Sequence, residues 1–224
     1  MSFFEELAAA LDREGIESRG EGQALLVPIT SDVEIHFEII DDLLPAVNVY
    51  IAGADVDEIG EVTDIVLVSV VFSVDDAVRA VARHMATDQV VTVMRDLLEG
   101  TDERIADLEF TQSFFDPQVV TAPVAEDSEI HVLVEVVDEV ATASVAFIAG
   151  ISDYDDEAWE GEEPEMLDLG VFTDFERLFD VLSLAAAQAE AWEKQLVPLD
   201  EDDDDVDYEF YIDAEGSDAA EDED

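Results

Sequence analysis

Cysteine is absent from the 224 residues, and lysine occurs once, as Lys194. Without thiols there is no disulfide framework, no thiol nucleophile and no cysteine-built zinc site. The eight basic residues, seven Arg and Lys194, stand against 61 Asp and Glu, for a net charge of −53. Seven scattered guanidiniums form no basic patch, which argues against direct binding to a nucleic-acid backbone. No apolar run approaches the ~20 residues that span a bilayer. Met1-Ser2-Phe3-Phe4-Glu5-Glu6 has neither the basic n-region nor the apolar core of a signal peptide. These absences predict a soluble cytoplasmic protein with no membrane partner. The phosphate-binding loop with its Lys, the G-x-S-x-G elbow, HExxH and the dinucleotide fingerprint are missing too. No cofactor and no catalytic set is implied.

What is present is hydrophobicity. Hydrophobic residues make up 49% of the chain, and the mean hydropathy is +0.09. A disordered acidic chain pairs high charge with low hydrophobicity, so this one is expected to bury a core and carry its acid outside. At −53, self-repulsion strains a compact state in dilute buffer. At about 1 M salt the Debye length falls to about 3 Å, and neighbouring carboxylates hardly feel one another. Lys depletion beside Asp/Glu excess resembles the acidic cytoplasmic proteins of haloarchaea. That resemblance implies a halophilic archaeal protein. The rival explanation is an acidic mimic of nucleic acid, but such a mimic concentrates its acid on one face, and here it runs along the whole chain.

An internal repeat is the most informative pattern. Val27 to Phe37 reads VPITSDVEIHF and Ala122 to Val132 reads APVAEDSEIHV. Pro28, Asp32, Glu34, Ile35 and His36 recur as Pro123, Asp127, Glu129, Ile130 and His131. Ile51-Ala52-Gly53 matches Ile148-Ala149-Gly150, and Phe72-Ser73 matches Phe172-Thr173. Helical spacing of Phe3, Phe4, Leu7 and Leu11, ended at Gly15, predicts an opening helix. Strands are expected at 23–29, 33–40, 46–52 and 62–72, in antiparallel order because the turns are short. Ser73 is an N-cap for a helix to about Met85, and a second helix is expected over 88–99. The next copy reads strands at 118–124, 129–137, 141–149 and 166–172. Residues 103–108 extend the preceding helix, and Thr173 caps a long last helix reaching Leu196. The predicted fold class is α+β: two tandem α-β-β-β-β-α units over 1–87 and 88–199, antiparallel sheets covered by helices. A tail follows over 200–224.

That tail holds 15 acidic residues and no basic one. Within it Val206-Asp207-Tyr208-Glu209-Phe210-Tyr211-Ile212 alternates like a strand, suited to docking on its own sheet edge or adding a strand to a partner. Val206, Tyr208, Phe210, Tyr211 and Ile212 are therefore partner-binding candidates, as is Trp159 in the acidic insertion 152–165. The run from Asp200 to Asp205 lacks the spaced ligands and closing Glu of an EF-hand. Phe114-Phe115 before Asp116-Pro117 reads as a chain entry anchored in the second sheet. Arg79, Arg83 and Arg95 on helices are expected to form local ion pairs.

The histidines are the natural place to look for chemistry. His36 shares a strand face with Glu34 and Glu38, and His131 shares one with Glu129 and Glu135. Imidazole flanked by carboxylates resembles a metal or general-base site. Residues i and i+2 on a strand stand about 6.5–7 Å apart, loose for one ion, so a third ligand from a neighbouring strand is required. A solvated strand face is the expected reading, and a metal-dependent enzyme is the alternative. The element order resembles the YbjN-like regulators and the type III secretion chaperone-like modules. That resemblance implies a non-enzymatic protein that binds another protein across its sheet or a pseudo-dimer groove. The expected reading is an interaction, chaperone-like or regulatory module, present as a monomeric pseudo-dimer or a homodimer.

Overall fold

The computed structural model describes residues 2–41, 44, 46–53, 65–150 and 164–196. These residues form an α+β architecture with two antiparallel five-stranded sheets and three helices. Helix α1 (Phe3–Arg13) precedes strands β1 (Arg19–Glu21), β2 (Ala24–Pro28), β3 (Val33–Ile39), β4 (Val47–Gly53) and β5 (Ile65–Val71). Helix α2 (Val74–Glu99) leads to β6 (Thr111–Gln112), β7 (Val119–Pro123), β8 (Ser128–Val137), β9 (Val140–Ala149) and β10 (Glu165–Phe172), and α3 (Phe175–Leu196) closes the order. Both sheets are simple meanders. Each has five strands rather than the expected four. The extra ones, β1 and β6, are two- or three-residue edge strands of exposed polar residues or glycine, too short to show alternation.

Burial alternates most clearly in β7 and β8, as half-buried strands require. In β3, Ile35 and Phe37 are fully buried, and they pack with Leu25, Val27, Val47, Val49 and Val71 beneath Leu7, Leu11, Ala77 and Val81 of the helices. The second core joins Val120, Ile130, Val132, Val134, Val145 and Phe147 to Val93 and Leu97 of α2 and to Leu178, Leu182 and Ala185 of α3. Trp192 packs edge-on against Phe147, with ring centroids 5.4 Å apart.

Helix α2 belongs to both cores. Ala77 and Val81 face the first sheet, and Val93 and Leu97 face the second. At 3.6 residues per turn these pairs project about 160° apart around the axis. The apolar stripe therefore changes sides in mid-helix. This switch reads in sequence as a break between two helices at 85–88, but the helix runs unbroken from Val74 to Glu99. The expected boundary at residue 87 lies inside it. Ser73 caps its start by accepting from the Asp76 N–H at 3.1 Å, and Gly100, at φ +60°, ends it. At α3 the cap is Asp174 rather than Thr173: the carboxylate accepts from Glu176 N–H at 3.1 Å. Residues 103–107 form turns, and 103–108 do not extend the helix.

The two segments carrying the repeat occupy corresponding places. Pro28 pairs with Glu34 across β2 and β3, and Pro123 pairs with Glu129 across β7 and β8. The two later matches are each one residue out of register. Ile51 lies opposite Ile35 on the core face, whereas Ile148 lies opposite Glu129 on the other face; the residue opposite Ile130 is Phe147. Val47 pairs with Val71, and Ala143 with Phe172, so Val71 rather than Phe72 stands where Phe172 does. Both outer strands bulge at the same point, at Val68 in β5 and at Leu169 in β10.

Two substitutions test this packing. Leu97→Ala should cost about 2–5 kcal/mol, as a fully buried leucine in a tight core does, read by chemical denaturation at constant molar salt. The two-residue turn joining β8 and β9 places Asp138 and Glu139 at φ +50° and +65°. Both lie in the left-handed region that a side chain disfavours. Glu139→Gly should accordingly raise stability by about 0.5–1 kcal/mol in the same assay.

Candidate functional site

Alternation places Glu34, His36 and Glu38 on the face of the first sheet turned away from the helices. His36 stands in a row Leu26, His36, Tyr50, Leu67 across β2 to β5. In the second sheet the row is Thr121, His131, Ala146, Asp168. His36 Nε2 lies 3.3 Å from Glu34 Oε2, and the other oxygen of that carboxylate accepts from Arg19 on β1 at 2.6 Å. His131 Nε2 lies 3.0 Å from Glu129 Oε2. His36 is only 9% exposed, while the His131 pair is half-buried.

Each imidazole thus has one carboxylate, from the residue two positions earlier on its own strand. Glu38 is exposed and Glu135 half-buried, and neither is bonded to a histidine. Among the described residues no three His, Asp or Glu groups converge to hold a metal ion. The arrangement can orient a ring and hold a proton between two groups; a third ligand is not supplied by the described residues. His84, on α2, is pushed down from the usual imidazole range, first by burial and then by the neighbouring Arg83.

The ionic feature with the most partners is one the sequence pattern did not indicate. Arg104, in the turn after α2, donates to both oxygens of Asp102 at 2.8 and 2.6 Å. It also donates to the Glu176 carbonyl at 2.9 Å, to the Glu176 carboxylate at 2.8 Å and to Asp180 at 2.9 Å, and its guanidinium lies 5.4 Å from the centre of the Phe179 ring. It clamps the linking turn onto the start of α3. Its hydrogen bonds hold the Asp102 carboxyl down to about 2, chiefly through the side-chain contact and next through the Arg104 backbone N–H. The available signal was Asp102-x-Arg104 directly after the helix-ending Gly100. Of the three helical arginines expected to pair, Arg79 bonds Asp76, whereas Arg83 and Arg95 have no ion pair among the described residues.

Among the exposed apolar side chains, one continuous run and one pair stand out. Strand β5 exposes Ile65, Val66, Leu67, Val68 and Val70, and Phe72 follows. Residues 65–73 contain no ionisable group. Phe114 and Phe115 are 94% and 95% exposed, which overturns the expectation that they anchor the chain in the second sheet. Trp159 and the segment with Val206, Tyr208, Phe210, Tyr211 and Ile212 lie outside the described residues. No helix among the described residues is long and apolar enough to cross a membrane. No family model, curated protein or solved structure matches the chain.

The Arg104 clamp has a pH signature. The folded-state value of Asp102 lies below the unfolded value near 3.9, so its contribution to stability is present above about pH 4 and is lost as pH falls toward 2. A carboxyl-detected NMR titration should find Asp102 titrating near 2 in the wild type, and at the ordinary carboxylate value in Arg104→Gln.

Proposed function

We propose that this chain is a non-enzymatic protein-interaction module of the chaperone-like or regulatory kind, adapted to molar salt. The observation that carries the reading is strand β5. It is the last strand of its meander, and among the described residues no further strand pairs with its outer side. Five of its seven residues are exposed large hydrophobics, Val66 at 60%. Natural sheets blunt such edges with charge, especially lysine, because an open apolar edge recruits other chains. Here the opposite choice is made: in a chain of 61 acidic residues, the edge is among the few places without one. An extended segment of a partner can add to it as a further strand, with main-chain hydrogen bonds for affinity and the apolar side chains for selection. The bulge at Val68 twists the edge and confines flush pairing to one half of the strand at a time. Short reversible additions are favoured by that geometry.

The composition supports the salt adaptation, and with it a halophilic archaeal cytoplasm as the setting. A tandem duplication is the economical origin of the architecture. Its support is the recurrence of Pro28, Glu34 and His36 as Pro123, Glu129 and His131 at equivalent register, the two bulges, and the side chains Ser73 and Asp174 capping the helices that follow. On that reading α2 closes one copy and opens the next.

The test uses the full chain in about 2 M KCl with a thermally unfolding client protein, followed by light scattering and amide hydrogen exchange. The wild type should suppress client aggregation near stoichiometric ratio and slow exchange at β5 amides. Val66→Lys with Val70→Lys, both at exposed positions, should abolish both effects while leaving the circular dichroism unchanged. Suppression that survives this pair of substitutions, or a wild type that leaves the client unprotected, overturns the reading.

A further inference from the structure

The turn joining β6 to β7 is built to hold two phenyl rings in water. Ser113 N–H donates to the Val119 carbonyl at 2.9 Å, and Val119 N–H donates to the Asp116 carbonyl at 3.0 Å. Side chains tie it further: Gln112 donates to the Pro117 carbonyl at 2.6 Å, and Phe115 N–H donates to Ser113 Oγ at 3.3 Å. Gln118 N–H donates to Asp116 Oδ1 at 2.9 Å. The rings of Phe114 and Phe115 stand edge to face, 5.6 Å apart, above this network. Leaving a large apolar side chain in water forfeits the free energy that burying it would gain. A turn held by so many bonds gives the pair little means of folding back. Rigid aromatic side chains presented this way are the usual anchors of protein interfaces.

A receptor of matching chemistry lies beside the base of the same turn. A groove of about 400 Å³ is lined by Val90, Val91, Met94 and Leu98 of α2, with Pro117 and Val134 opposite. Arg95 and Glu99 also line it, and the Arg95 guanidinium has no ion pair among the described residues, Glu99 included. Knob and groove are therefore neighbours on one surface, which is the condition for an isologous contact.

We infer that two copies of this chain associate about a two-fold axis, each seating Phe114 and Phe115 in the groove of the other. The Asp116 that follows the phenylalanines in one copy then approaches Arg95 of the other, which gives the contact its charge complementarity. Four rings at about 150–250 Å² each, with the groove walls they cover, reach the about 1,200–2,000 Å² of a stable interface. Two chains of −53 repel one another, and molar salt screens that repulsion while leaving apolar burial intact. This contact is separate from the β5 edge, and either can fail without the other.

Sedimentation velocity of the full chain in about 2 M KCl, over 1–100 μM, decides the matter. The wild type should sediment as a dimer. Phe114→Ser with Phe115→Ser should weaken association at least about 30-fold, with the circular dichroism unchanged because both side chains are exposed within one chain. Val91→Arg, which fills the groove while leaving both phenylalanines in place, should do the same, and Arg95→Glu should weaken the dimer less. A monomeric wild type overturns the inference. So does a dimer that survives both the Phe and the Val91 substitutions, or one dispersed only by the Val66 and Val70 substitutions.

Discussion

Much of this architecture depends on a single helix that serves two cores. α2 buries Ala77 and Val81 against one sheet and Val93 and Leu97 against the other, on nearly opposite sides of its axis. A helix buried on one stripe tolerates polar residues over the rest of its circumference. α2 has that freedom only half a helix at a time, which is why its apolar pattern shows no single period. Each sheet has one helix of its own, α1 or α3, and takes its second cover from α2. Disturbing the middle of α2 therefore bears on both cores at once.

The charge of the chain shapes what is left outside. With 61 acidic residues, most of the surface repels any acidic neighbour, a second copy included. Contacts are then concentrated where charge is missing. Among the described residues the β5 edge is such a place, and the Phe114–Phe115 turn sets two exposed rings beside a largely apolar groove. Both combine exposed apolar groups with fixed backbone geometry, which lowers the entropy lost on association. The His–Glu pairs are a different case. They sit at equivalent positions in both sheets, yet each histidine contacts one carboxylate of its own strand, with Arg19 on β1 added only at Glu34, and strand spacing explains the His–Glu contact.

Most of the fold was legible in local patterns. Alternation over 33–40 marked a strand, and Ser73 and Gly100, read as the start of one helix and the stop of the next, stand at the two ends of α2. Local patterns failed where tertiary packing overrides them. The mid-helix change of buried face looked like a helix boundary. Strands β1 and β6 carry too few residues to show a period. The matches at Ile51 and Phe72 slipped by one residue, because similar letters recur on opposite faces of a strand and only cross-strand register separates them. Phe114 and Phe115 were misplaced for a related reason: hydrophobic letters mark a side chain that gains from burial, not whether the chain reaches a place to bury it.

Composition and periodicity determined the class of the molecule on their own. Those quantities are local or global sums: the excess acid, the missing thiols, the alternating strands and the α+β order. Tertiary structure alone decided which helix covers which sheet, that Arg104 ties the linking turn to α3 through Glu176 and Asp180, and that two phenylalanines face water beside a matching groove. Each of these joins residues far apart in the chain, and no one-dimensional period records such a distance.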